Sequence, residues 1–293
     1  MIVITTPMGR IGRYVLNELL SAGESIRLIT RHPDKLAASI HTQAEVIQGS
    51  VDDAELLRQA LDQADALFWC VPENYTQNHV LKYYLHFANA AATAIQQTGI
   101  PRVVAVSSGG QGRSHWAGPI SALHAMEEVL NATGVATRYL RCGNFMENFL
   151  WQVEPILNQG AFFYPFPGDF PIPMVATSDI GRTAAQWLLH RNWLGQVGVG
   201  VHGPEDLSLN QAAEQIGKAI GKTVRFQPVT PKAYYESMLQ HASPAYAQGL
   251  LDMFAEVAAG IYNAEARTPE TTTPTTLQQW TQEVILPSSL HVF

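Results

Sequence analysis

The chain has 293 residues, room for about two ordinary domains or one large α/β unit, and 46% of them are apolar, enough for a full core. Charged residues make up only 15%, which excludes disorder and coiled coil, and a net charge of -7 excludes a partner held by phosphate neutralisation, nucleic acid above all. The charge is uneven: residues 1–35 hold five basic side chains (Arg10, Arg13, Arg27, Arg31, Lys35) against three acidic ones (Glu18, Glu24, Asp34), so an anion belongs at the N-terminus.

Short β-rich runs then alternate with helical patterns, the signature of parallel strands joined by crossover helices. Met1–Thr5 is the first strand. A helix follows with Ile11, Val15, Leu16, Leu19 and Leu20 on one face and stops at Ala22-Gly23. Ser25–Thr30 is strand two, a short helix follows His32-Pro33, and Ala44–Gln48 is strand three. A helix runs from Asp52-Asp53 to about Asp62, and Ala64–Val71 is a mostly apolar fourth strand, as a sheet covered on both faces requires. The helix Thr76–Gln97, strand Arg102–Ser107, helix Ile120–Ala132 and strand Ala136–Arg141 complete six βα units. The expected fold is α/β, a doubly wound parallel sheet of Rossmann type.

After Gly143 the alternation fails. Gly160–Pro173 is aromatic and rich in Pro and Gly, and reads as an ordered loop covering a pocket. Helices near Ser178–Leu189, Ser208–Ile220, Pro231–His241 and Pro244–Gly260, with strands near Gly198–His202 and Thr223–Pro228, suggest a smaller α+β C-terminal domain. The expected division is a dinucleotide-binding domain over 1–150 and a substrate domain over 151–293, with 175–202 returning to the first. Thr268–Thr276 looks low in complexity and leads into a helical Leu277–Val284.

Cys70 and Cys142 stand in apolar strands without a Cys-x-x-Cys partner, so both read as core thiols, and no His spacing suggests a metal. No stretch suits a membrane span or a secretory signal, so a cytoplasmic protein is expected.

Gly9 and Gly12 lie in Thr5-Thr6-Pro7-Met8-Gly9-Arg10-Ile11-Gly12, between the first strand and its helix. Pyrophosphate oxygens reach backbone N–H groups only where side chains are absent, and a helix start adds a positive dipole. Thr5, Thr6, Met8, Gly9, Arg10, Ile11 and Gly12 are therefore candidate cofactor residues, although Thr6 replaces the usual first glycine. At the end of strand two, Thr30-Arg31-His32-Pro33-Asp34-Lys35 has no carboxylate at its tip for a ribose hydroxyl. Arg31, helped by Lys35, suits a 2′-phosphate, so NADP is expected in preference to NAD.

With these residues, the chain resembles the NmrA-like group of atypical short-chain dehydrogenases, which includes NADPH-dependent quinone and azo-dye reductases and nonenzymatic redox sensors. The resemblance also rests on Gly49 with Asp52, Phe68–Pro72, Val106-Ser107-Ser108-Gly109, His124 with Glu128, and Leu140-Arg141 followed by Asn144-Phe145-Met146-Glu147-Asn148. Thr177–Gly181 and Gly203-Pro204-Glu205 extend it over nearly the whole chain, and Ser50 departs from the family's frequent aspartate. It implies that Val71 and Ser107 border the nicotinamide.

A standard short-chain dehydrogenase pairs Tyr with Lys four residues later, so that the phenol donates to a carbonyl. No Tyr here has that partner, and Ile120 and His124 take the two places. The candidate catalytic residues are His124, Glu128 four residues on as its orienting carboxylate, and Ser107. Pro72, Phe145, Met146, Asn148 and Phe163 are the candidate substrate pocket, suited to a flat aromatic or quinone-like molecule. Two readings follow: an NADPH-dependent reductase of a conjugated acceptor, or a nonenzymatic NADP-binding redox sensor. A homodimer or a regulatory protein partner stays open.

Overall fold

The computed structural model describes residues 1–112 and 115–288. Its alternating half runs β1 (Ile2–Thr5), α1 (Gly12–Ser21), β2 (Ile26–Thr30), α2 (Ala38–Gln43), β3 (Glu45–Gln48), α3 (Ala54–Leu61), β4 (Ala66–Trp69), α4 (Val80–Thr98), β5 (Arg102–Ser108), α5 (Pro119–Asn131) and β6 (Ala136–Cys142). Local chemistry sets these boundaries. The Asp53 carboxylate accepts the N–H groups of Glu55 and Leu56 to start α3, and Gly99 ends α4 in the left-handed conformation at φ +65°.

The second half contains β7 (Asn144–Phe145), a 3-10 stretch Met146–Gln152, α6 (Val153–Gln159), β8 (Ala161–Tyr164), β9 (Ile172–Val175), α7 (Thr177–Leu189), β10 (Gln196–Val201), β11 (Asp206–Leu207), α8 (Leu209–Ile220), β12 (Arg225–Pro228), α9 (Pro231–Met238) and α10 (Pro244–Ala258). Gly160–Pro173 is thus a loop only over 165–171, between two strands that its composition does not suggest. β8 pairs in parallel with β12, Phe162 facing Phe226, and β9 is held between β7 and β11. Aromatic residues suit a strand, but the partner strands come from distant parts of the chain and leave no local signal.

Seven parallel strands form the main sheet in the order β10-β6-β5-β4-β1-β2-β3. The chain winds both ways from β1, which lies between β2 and β4, and a crevice opens outside the carboxyl ends at that reversal. β4 shows why the strands read as unbroken apolar runs: Ala66 and Phe68 enter one core, Leu67 and Trp69 the core on the opposite face. β10 pairs along the full length of β6, and α7 packs on α1, so Gln196–Val201 and Thr177–Leu189 are built into the sheet layers.

The remaining elements form a separate apolar cluster around Phe149, Phe162, Tyr164 and Trp280. Glu147, buried, ties it to the sheet by accepting hydrogen bonds from Thr177 N, Thr177 Oγ1 and Trp280 Nε1. The Thr-rich stretch is a strap: Thr275 donates twice to the buried Asp179, and Thr273 N–H donates to the His202 carbonyl. The helix beyond it covers Leu277–Trp280 and then widens into a π-helical turn over Thr281–Ile285. No helix of the described residues is long and apolar enough to cross a membrane.

Candidate active site

The turn after β1 is shaped by close backbone packing. A Cβ on Gly12 would lie 2.1 Å from the Thr6 carbonyl oxygen, and Gly9 N–H donates to that same oxygen at 2.9 Å. Thr6 itself sits at φ +49°, the conformation for which glycine is normally used. The turn thus has a glycine-like backbone with a threonine side chain. No side chain caps α1 and no acidic residue stands in its first turn, so its N-terminal field faces the crevice uncompensated.

One cavity of about 730 Å³ runs from this turn along the carboxyl edge and under the second half. Thr6, Met8, Gly9, Arg10, Ile11, Gly12, Arg31, Val71 and Ser107 line it, as do Pro72, Phe145 and Asn148. Six expected residues lie elsewhere. Thr5 is buried, and its hydroxyl braces β1 against β4 by donating to the Phe68 carbonyl and accepting the Cys70 N–H. Lys35 is exposed in the 3-10 turn Pro33–Lys35, away from the cavity. Met146 is packed in the second-half core. Phe163 points away from the cavity because strand alternation turns its neighbour Tyr164 inward, and its N–H and carbonyl pair with the Gln152 amide.

The fifth and sixth are His124 and Glu128. The His124 Nε2 lies 2.9 Å from the Ser108 carbonyl, so the ring braces the end of β5, and Ile120 and Leu123 line the cavity in its place. Glu128 is exposed and makes no hydrogen bond to His124 among the described residues. The carboxylate that matters is its neighbour Glu127, fully buried. Ser107 Oγ donates to Glu127 Oε1 at 2.5 Å, and Arg141 grips the same carboxylate through Nε at 3.2 Å and Nη2 at 2.7 Å. Arg141 also lies 3.9 Å from Glu265, which accepts the Gly110 N–H at 2.6 Å; burial pushes the Glu265 carboxyl up. The helical spacing of Glu127 gave no hint of this, since its partners sit on β5 and β6.

Cys70 packs against the sheet core, as expected, and also lines the cavity, and burial pushes its thiol up to about 12. Beyond it the lining becomes aromatic: Tyr75 and Trp151 meet edge to face at 4.9 Å between centroids, and Tyr164 and Phe254 lie 5.6 Å apart. Burial raises the Tyr75, Tyr164, Tyr234 and Tyr246 phenols above their usual range, so all four stay protonated at neutral pH. Tyr75 hydrogen-bonds Glu73 at the mouth. No group of three or more His, Cys, Asp or Glu is placed to hold a metal among the described residues.

The model of the NmrA-like family matches residues 1–278. The chain belongs to the NmrA-like family. Among its relatives is a (4-alkanoyl-5-oxo-2,5-dihydrofuran-3-yl)methyl phosphate reductase of Streptomyces griseus, 27% identical over 252 residues, which cover 86% of this chain and 85% of the relative. Quinone oxidoreductase 2 of Escherichia coli is 26% identical over 258 residues, covering 87% and 86%. A crystal structure of the Escherichia coli NADPH-dependent quinone oxidoreductase QOR2 complexed with NADPH superposes with a TM-score of 0.81 at 22% identity, over 97% of this chain and 99% of that one. The last likeness is one of fold, and with it the Rossmann-like architecture of this NmrA-like chain is established.

Proposed function

We propose that this chain is an NADPH-dependent reductase whose acceptor is a flat conjugated molecule of quinone type. The observation that carries the reading is the single cavity joining the glycine turn to the aromatic chamber. Its first part fits a dinucleotide: Gly9 and Gly12 let the turn fold tightly on the Thr6 carbonyl, the start of α1 is uncapped, and Arg31 stands exposed at the end of β2 with no carboxylate beside it. The names of the two relatives, a reductase and a quinone oxidoreductase, support the same chemistry.

When bound, the reduced dinucleotide supplies a hydride, and one proton from solvent completes the two-electron reduction of the acceptor. The chain's own residues bind, orient and exclude water. Ile120, aliphatic, fills the place of the usual phenol, and His124 is held outside the cavity, so neither of these positions supplies an acid to activate an ordinary ketone. A conjugated acceptor is already electrophilic, and proximity with orientation suffices for it. The aromatic walls offer a flat ring edge and face contacts.

The test begins with calorimetric titration of NADPH and NADH, followed by NADPH oxidation with 1,4-naphthoquinone and an azo dye. Tighter binding of NADPH with turnover of at least one acceptor is expected. Binding without turnover on any acceptor would point to the nonenzymatic redox sensor, and no binding of either dinucleotide would overturn both.

A further inference from the structure

The proton donors near the end of β5 are committed inward. Glu127, held by both arms of Arg141, is a carboxylate and can only accept, so the single proton of Ser107 points at it across 2.5 Å. Ser107 therefore turns only lone pairs to the cavity. The sheet register fixes this, because Ser107 and Arg141 are direct partners across β5 and β6. The Ser108 hydroxyl lies against the Tyr262 phenol, and His124 is engaged with the Ser108 carbonyl.

Just beyond β6 the lining has the reverse polarity. Asn144 on β7 and Asn148 one turn later both line the cavity, and Asn148 Nδ2 donates to Asn144 Oδ1 at 3.0 Å. Whichever amide of such a pair donates, the other keeps a complete NH2 for a ligand. Both residues are firmly placed: Asn144 pairs with Met174 of β9, and the Tyr164 phenol donates to the Asn148 carbonyl at 3.0 Å.

We infer that the Asn144–Asn148 pair, and not Ser107, holds the carbonyl oxygen of the acceptor. The inference rests on the reductase reading for its chemistry: charge accumulates on that oxygen as the hydride arrives, and a positioned amide N–H stabilises it before solvent protonates it. The pair thus takes over the part that a Tyr or Ser hydroxyl plays in an ordinary carbonyl reductase, with the donor fixed in place and no proton given up.

Asn144→Asp keeps the shape but replaces the NH2 donors by a repelling carboxylate, and Asn144→Ala with Asn148→Ala removes the pair. Both are expected to lower kcat/KM for 1,4-naphthoquinone by about 10²-fold, the loss typical of one oxyanion donor. Melting temperature checks the fold of each variant. A change of less than about threefold in both variants, once folded, overturns the inference. Infrared spectroscopy separates it from the reductase reading: the carbonyl band of bound 1,4-naphthoquinone should shift down in the parent chain and recover in the double variant. A shift that recovers without any turnover sustains the amide pair and overturns the reductase; no shift in the parent chain overturns the pair itself.

Discussion

The two ends of the cavity recognise by opposite means. At the glycine turn, backbone groups and the side chains of Arg10 and Arg31 line the crevice, and Thr6 stands where a glycine is usual. Under α9 and α10 the contacts are side chains, chiefly aromatic, whose phenols are held neutral by burial. The first end can take an anion because bare N–H groups and a helix dipole are insensitive to side-chain identity but intolerant of any added Cβ. The second is shaped by apolar side chains, so single substitutions there change the form of the chamber and leave the turn untouched.

The largest effect expected is at the turn itself. Gly12→Val would drive a Cβ into the Thr6 carbonyl, 2.1 Å away, and should abolish NADPH binding by calorimetry while lowering the melting temperature. Unchanged binding would mean that the turn is not the phosphate cradle. Cys70 probes the junction of the two ends. Its thiol is raised from 9.0 to about 12, so it stays protonated at pH 8, and alkylation by iodoacetamide should run about 10³-fold slower than in the unfolded chain. The rate should climb about tenfold per pH unit as the thiolate forms below its pKa, and fast labelling at pH 8 would show that the junction is wet.

Smaller effects sharpen the polar end. Arg31→Ala should weaken NADPH about 10- to 100-fold, the worth of one charge-assisted contact, and leave the NADH dissociation constant unchanged. Equal losses for both cofactors would remove the 2′-phosphate from the account. Thr6→Gly relieves a β-branched residue at φ +49° and widens the turn, so NADPH should bind a few-fold more tightly. Weaker binding would show that the threonine side chain is itself a contact.

The alternating half was legible because each boundary carries its own chemistry. Asp53 caps α3, Gly99 stops α4, and β4 is apolar on both faces, all properties of neighbouring residues. The glycine turn was legible for the same reason, since strand, turn and helix are contiguous. Thr5 and Lys35 were misplaced because adjacency to a motif does not set the direction of a side chain. His124 and Glu128 were paired on helical spacing, whereas the buried carboxylate is Glu127, whose partners Ser107 and Arg141 lie on two other elements. Phe163 was chosen over Tyr164 because the strand phase of 161–164 depends on β12, far along the chain.

By itself, then, the amino-acid sequence determined the βα order, the glycine turn and Arg31 at the end of β2, because hydrophobic period, capping and turn chemistry act between residues a few positions apart. The tertiary structure alone decided the aromatic end of the cavity. The β7–β9 and β8–β12 pairings and the Ser107–Glu127–Arg141 network exist only when distant segments meet, and the direction of each hydrogen bond in that network follows from which partner the fold has already supplied.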